Sequence, residues 1–412
     1  MAPISRYKPS IWVFAVDQDN IQISWRCLDP GLLRVEPFCA DRVVAEPIVL
    51  TLGTAAEALN TSGGIYRCDG GAATLMGLPR GQLLNLKLSG SALGTHRSGF
   101  NSPTAISART LRGAPGEELF RLATISDMHL GARSFGHRGQ IRDTEGYSET
   151  HTWRCASSAL TEASEWGGQH AIAKGDLTNS GLADQWRLYA RLVEESSIPL
   201  EGVAGNHDTD RYGGRKSLSP NDAAKAFGFT LASPLLVRDL PGVRVLIGDT
   251  TVHARSAGSL RKVANEIIEL SAETPKDQGV LVVLHHHIHP HALPEGPPVG
   301  IARSEGHQFL DSLGSVHPNV FVTSGHSHRN RRWARSGVTV TQVGATQDYP
   351  GVWAGYRIHE GGLSQAVRRI ESPECTGWSE RARLAGLGAW EHVSPGRLDS
   401  RCFDVDWAVP YR

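Results

Sequence analysis

An aspartate and a histidine two residues apart, Asp127 and His129, close the apolar run Leu122-Ala123-Thr124-Ile125. In an extended chain residues i and i+2 point the same way, so a carboxylate and an imidazole would face one point in space. Alone, an Asp-x-His at a strand end is weak, because a solvated aspartate beside a satisfied histidine explains it as well. Four later apolar runs end in the same kind of residue. They lead into Lys174-Gly175-Asp176-Leu177-Thr178-Asn179, Ala204-Gly205-Asn206-His207-Asp208, Leu284-His285-His286-His287-Ile288-His289-Pro290 and Ser324-Gly325-His326-Ser327-His328. All carry side chains of the types that hold metal ions. The glycines before Asp176, Asn206 and His326 permit tight turns and close backbone approach. Repetition at nearly every strand end makes coincidence a poor explanation.

Such clusters need elements that bring them together. From Leu119 onward, apolar runs alternate with helical segments, and the pattern predicts helices near Thr150 to Trp166 and from Leu182 to Glu195. Strands alternating with helices mean an α/β layered domain, in which ligands bind beyond the carboxyl ends of the strands. Residues 8 to 112 read instead as all-β, in short runs punctuated by Gly, Pro, Asp and Asn. They predict a sandwich of about seven strands. In Asn20-Ile21-Gln22-Ile23-Ser24-Trp25 the apolar residues alternate with polar ones, as a half-buried strand requires. Arg112 to Glu118 reads as a linker, which divides the chain into an accessory domain (1–112), an α/β domain (117–370) and a tail (371–412). Around Glu360-Gly361-Gly362 a closing hairpin is predicted, followed by a helix from Trp378 to Leu387. Phe403, Val405 and Trp407 share one face, so the tail should dock, either on its own N-terminal strands or on a second copy as a homo-oligomer.

Composition narrows the partners. Lys plus Arg and Asp plus Glu number 42 each, so the net charge is zero. That argues against long nucleic acids or anionic membranes held by long-range attraction, and leaves room for a small anionic substrate. Six scattered cysteines without a C-x-x-C pair point to reduced thiols in a cytoplasmic protein. No apolar run reaches the ~20 residues of a membrane span.

The order D-x-H, G-D, G-N-H-D, a His at a strand end and G-H-x-H, over residues 127 to 328, resembles the calcineurin-like metallophosphoesterase superfamily. The resemblance implies a two-sheet αββα sandwich with a binuclear metal site among its loops. Here a β-sandwich would precede it. Ile21-Gln-Ile-Ser-Trp25 and Gly77-Leu-Pro-Arg-Gly-Gln82 are similar to a fibronectin III-like module, although Leu83 and Leu84 stand where that family carries a Tyr.

Carried over, Asp127, His129 and His328 would bind one metal, and Asn206, His326 and His285 the other, with Asp176 bridging. His286 is the alternative to His285, and otherwise a substrate contact. Such a donor set suits Mn, Fe, Co or Zn. Two ions ~3.5–4 Å apart make a hydroxide at neutral pH and clamp both oxygens of an in-line displacement. His207 resembles the family's non-ligand histidine, which contacts the phosphoryl oxygens or protonates the leaving group, and Asp208 would orient its ring. His287, His289 and His291 read as loop or substrate-side residues, and Arg133, His137, Arg138, Tyr212 and Arg215 as candidate substrate contacts. Asn179 occupies the position where purple acid phosphatases carry a Tyr ligand. The string Gly175 to Asn179 is closer to class III cyclic nucleotide phosphodiesterases and bacterial glycerophosphodiesterases. The implied function is hydrolysis of small phosphodiesters, with phosphomonoesters in reach. The alternatives are a nuclease acting on DNA or RNA ends and a non-catalytic metal-binding scaffold.

Overall fold

Alternation of two and repetition of three to four sort the chain into different layers. The computed structural model describes residues 10–53, 58–61, 64–67, 70–94, 104–143, 147–209, 216–291 and 298–408. Up to residue 109 the described strands pair antiparallel. Ser10–Val16, Asn20–Arg26 and Gly70–Met76 form one sheet; Ala105–Arg109, Leu83–Ser89, Gly31–Cys39, Arg42–Val43 and Ile48–Leu52 form another. Leu84, Leu86 and Leu88 are buried while Asn85 and Lys87 face solvent, the period-two pattern of a strand with one wet face.

The strand Asn20–Arg26 departs from that pattern. Ile21 and Ile23 are buried as predicted, but so are polar residues on the opposite face, Gln22, Ser24 and Arg26. Their face is covered by the later hairpin. Gln22 trades two 2.8 Å bonds with the backbone of Arg369, and Ser24 accepts from the Arg369 guanidinium at 2.7 Å.

After residue 117 the chain builds two six-stranded sheets. In the first the order is Leu200–Val203, His170–Lys174, Glu118–Ile125, Val352–His359, Gly362–Arg369, Cys402–Asp406. The second runs Leu235–Leu240, Val243–Gly248, Gly279–Leu284, Val320–Ser324, Val338–Gln342, Arg331–Arg335. Side-chain alternation assigns the layers. Leu122, Val245, Ile247, Leu281, Val283 and Phe321 meet in a core between the sheets. Ala123 and Ile125 pack outward on the helices His151–Glu165 and Ala183–Glu195, and Leu246 packs on Ala264–Glu273 and Arg303–Val316. The central core also takes in Phe14, Ile21, Leu33 and Leu86, so N-terminal strands and sheet sandwich share one apolar interior.

The tail lies on its own chain. Its first helix begins earlier than the sequence pattern suggests, at Pro373–Ala382, because Pro373 is pre-set for a first helical turn. The Trp378 ring stacks on His151 with centroids 3.6 Å apart. Cys402–Asp406 pairs antiparallel with Gly362–Arg369 and becomes the last strand of the first sheet. Among the described residues no helix is long and apolar enough to cross a membrane.

Candidate metal centre

Parallel pairing brings the ends of the central strands to one edge. Ile125, Lys174 and Val203 finish neighbouring strands of the first sheet, and Leu284 and Ser324 neighbouring strands of the second. The chain leaves these strands in an unusual conformation. Asp127, His129, Asp176, His326 and His328 have φ of 51°, 47°, 47°, 64° and 52°, the left-handed region that non-glycine residues rarely occupy. Cost of this kind persists only where surrounding contacts enforce it, and it concentrates at functional sites. Asp127 N–H donates to the Gly175 carbonyl at 3.1 Å and His129 N–H to the Asp176 carbonyl at 2.9 Å. Two glycines make room. A Cβ on Gly175 would lie 2.4 Å from His285 Nδ1, and one on Gly325 would lie 2.6 Å from Asp127 Oδ2.

The side chains converge in overlapping groups. Asp127, His129 and His328 form one, with ligand atoms all within 4.8 Å of one another. Asp127, Asp176 and His285 form a second, His285, His286 and His326 a third, and His129, Asp176 and His207 a fourth. Asp176 is therefore shared between sides: Oδ2 is 3.6 Å from His129 Nε2 and Oδ1 is 3.4 Å from His285 Nε2. His328 Nε2 is 3.4 Å from Asp127 Oδ1. On the far side His285 Nε2 lies 3.2 Å from both Asn206 Oδ1 and His326 Nδ1. The outer nitrogens are tied back, His285 Nδ1 to the Lys174 carbonyl at 2.8 Å and His326 Nε2 to the Val299 carbonyl at 3.1 Å.

Burial and charge pull these groups apart. Burial lowers the His285 imidazole, but the Asp176 carboxylate outweighs it and lifts the group to about 9. His326 is pushed down to about 3 by burial and then by His285. Burial followed by His207 holds His129 well below its ordinary value. The Lys174 ammonium, fully buried below the site, falls to about 7 through desolvation, partly offset by Asp127.

The residues fit divalent metal ions. His129 Nε2 is buried without a hydrogen-bond partner, which is costly unless something else satisfies it. Imidazole nitrogens 3.2 Å apart beside an amide oxygen and two carboxylates are the donor set of borderline metals.

Several sequence expectations meet a different arrangement. Asp208 does not orient the His207 ring. Its carboxylate accepts from the backbone N–H groups of Leu177 (3.0 Å), Thr178 (2.7 Å) and Gly205 (2.8 Å) and from the Thr178 hydroxyl (2.7 Å). It ties two site loops together, while burial and then the Asp176 charge push it up to about 7. His207 Nδ1 lies 2.9 Å from the Asn179 carbonyl, and its backbone N–H donates to Asp176 at 2.8 Å. His287 and His289 are buried rather than loop-exposed, with rings 4.7 Å apart. His286 is buried too, with Nδ1 2.8 Å from the Thr250 hydroxyl. Arg133, His137 and Arg138 lie exposed on the loop after the first motif. Tyr212 and Arg215 lie outside the described residues. Asp348 belongs to no motif in the sequence, yet its carboxylate is hydrogen-bonded to His328 Nδ1. Only its place in the loop before the last hairpin could have hinted at it.

Comparison with known proteins gives this arrangement a setting. A family model described as calcineurin-like phosphoesterase matches residues 120–330. A probable cyclic nucleotide phosphodiesterase of Xenorhabdus bovienii is 24% identical over 169 residues, 41% of this chain and 64% of the relative. A probable glycerophosphodiester phosphodiesterase of Arcobacter nitrofigilis is 25% identical over 167 residues, 38% of this chain and 56% of the relative. The chain thus spans between about half and two thirds of the length of these curated relatives. Among solved structures, a dimetal phosphatase from Danio rerio aligns with TM-score 0.43 and 15% identity, over 62% of this chain and 97% of that one.

Proposed function

Because the chain belongs to the calcineurin-like phosphoesterase family, we propose that it is a metal-dependent phosphoesterase hydrolysing phosphodiester bonds, and secondarily phosphomonoesters, of small organic phosphates. The observation that carries the reading is Asp176, a buried carboxylate set between imidazoles on both sides. Asp127, His129 and His328 would hold one divalent ion, and Asn206, His285 and His326 the other, with Asp176 common to both. Mn, Fe, Zn and Co all suit these donors. Bound ions would supply an activated water at neutral pH and positive charge for the attacking and leaving oxygens.

The chain's own residues do the rest. His207 Nδ1 faces a carbonyl, which only accepts, so that nitrogen carries a proton. Nε2 then bears a second proton only when the ring is cationic, and that form can hydrogen-bond a phosphoryl oxygen or protonate the leaving alkoxide. Asp208 fixes the loops that carry Asp176 and Asn206, so it acts on the site through the backbone. The N-terminal strands, read as a fibronectin III-like accessory domain ending near 112, and a cytoplasmic location belong to the same proposal. Metal analysis with a panel of mono- and diesters, before and after chelation, tests it. Turnover of a small diester that chelation abolishes and divalent ions restore is the expected result; full turnover in metal-free protein sinks the reading.

A further inference from the structure

We propose that Asp348 positions His328 for metal binding, and that the tail and an N-terminal strand hold Asp348 in place. The inference rests on the proposed function and reaches beyond the stretch 120–330 that the family model matches. His285 and His326 each turn one ring nitrogen to a backbone carbonyl. His328 differs: its Nδ1 meets the Asp348 carboxylate, which is fully buried. A carboxylate at that nitrogen keeps the proton on Nδ1, leaves the Nε2 lone pair facing Asp127, and makes the imidazole a stronger donor.

The loop carrying Asp348 is gripped from several directions. Asp348 Oδ1 accepts from Trp390 Nε1 at 3.0 Å. The Ser394 hydroxyl is 2.7 Å from the His328 carbonyl and 2.5 Å from that of Tyr349, so the tail touches ligand and loop with one residue. Trp378 Nε1 donates to the Gln347 carbonyl. From the N-terminal strand, Arg26 reaches the Tyr349 hydroxyl at 3.1 Å while Glu380 and Glu391 hold its guanidinium. Thr346 N–H donates to the Ser126 carbonyl at 3.0 Å, one residue before Asp127. A loop needed only to fill space has no reason to bury a carboxylate against a histidine.

The test is a two-site titration of the metal-free, full-length protein with Mn(II) and Zn(II), read by calorimetry and bound-metal analysis. Asp348→Asn should weaken one of two sites by ~10–100-fold, the range for losing such a supporting partner, and leave the other unchanged. Asp348→Glu should recover part of the loss. In ¹⁵N spectra of the zinc-loaded protein, the His328 Nδ1 proton should be lost or shifted in Asp348→Asn. Trp390→Phe should weaken the same site by less, and it decides the matter if Asp348→Asn does not fold. Two ions bound as tightly in Asp348→Asn as in the unaltered protein overturn the inference alone, as does equal weakening of both sites. An unaltered protein that binds no divalent ion overturns the proposed function as well.

Discussion

Two of the places where the chain buries charge resolve it in opposite ways. At the seam between the N-terminal strands and the last hairpin, Glu380 is fully buried among Arg26 (2.6 Å), Arg369 (2.6 Å) and Arg383 (2.8 Å). Asp17 is buried there as well, against Arg368 (2.6 Å) and Arg357 (3.1 Å). Both carboxylates are answered by guanidinium groups of their own chain. At the strand ends, Asp127 and Asp176 face imidazoles, which in the form that binds metal carry no charge. The seam is closed, whereas on the proposed reading the site takes its cations from outside. Buried charge answered within the chain is structure; buried charge left waiting for a counter-ion is function.

The sharpest way to break this contrast is Asp176→Ala. It removes the carboxylate common to both sides and should release both ions with nearly all turnover. Two tightly bound ions in that variant, seen by metal analysis, would mean the carboxylate is not shared. His207→Ala comes next. It leaves the ligand set intact, so both ions should stay while turnover of a diester with a poor alkoxide leaving group falls ~10²–10⁴-fold. A nitrophenolate needs little protonation, and its loss should be smaller. Equal losses on both substrates would replace proton donation by charge stabilisation.

How far the sequence reveals each region follows from the range of the contacts. The candidate ligands at strand ends stand out in the sequence because their spacing is local: Asp127 and His129 are two apart, and Gly175 and Gly325 sit directly before Asp176 and His326. The same locality misleads at Asp208. Adjacency to His207 suggests a contact, but neighbouring side chains diverge and Asp208 turns to the other loop. Asp348 meets His328 across a whole strand pair, with no fixed spacing to announce it. The seam is harder still, since Arg26 and Glu380 are 354 residues apart and each alone reads as an exposed charge. For that reason Asn20–Arg26 looks half-buried in sequence and is buried on both faces in the fold.

The seam therefore yields a prediction of its own. Asp17→Ala leaves the buried Arg368 without its carboxylate partner, while Arg357 keeps Asp19 (2.7 Å) and Glu118 (2.9 Å), and should destabilise the fold by about 3–5 kcal/mol, measured by chemical denaturation. Metal content and turnover of the folded fraction should be unchanged. Burial works against the Asp17 carboxylate, but Arg368 and Arg357 hold it well below the usual range. Its stabilisation is thus present above about pH 4 and lost as acid approaches the depressed value. A fragment starting at residue 117 would strip the same arginines of Asp17 and remove Arg26 from Glu380. It should be insoluble or markedly less stable, even though it contains every proposed ligand. A stable, soluble fragment would show the seam to be dispensable.

A further carboxyl, the partly buried Glu162, sharpens the comparison in another way. It has neither an arginine nor a place at the site. Trp353 Nε1 donates to one oxygen at 3.1 Å and the Glu371 backbone N–H to the other at 2.7 Å. Burial nevertheless raises the group to about 8, helped by the nearby Glu371 charge. Glu162 resolves its burial by keeping its proton. Because the folded value lies above the unfolded one, its contribution is fully present below about pH 4.3 and declines as pH rises through 8. Across that window one group costs about 1.4 kcal/mol per pH unit, as the folded state holds a proton the unfolded state has released. Glu162→Gln is neutral and similar in size. It should flatten the decline in stability between about pH 4.3 and 8, followed by denaturation at several pH values, with no change in metal content. Parallel curves for variant and unaltered protein would mean that Glu162 is ionised in the fold and has a counter-charge after all.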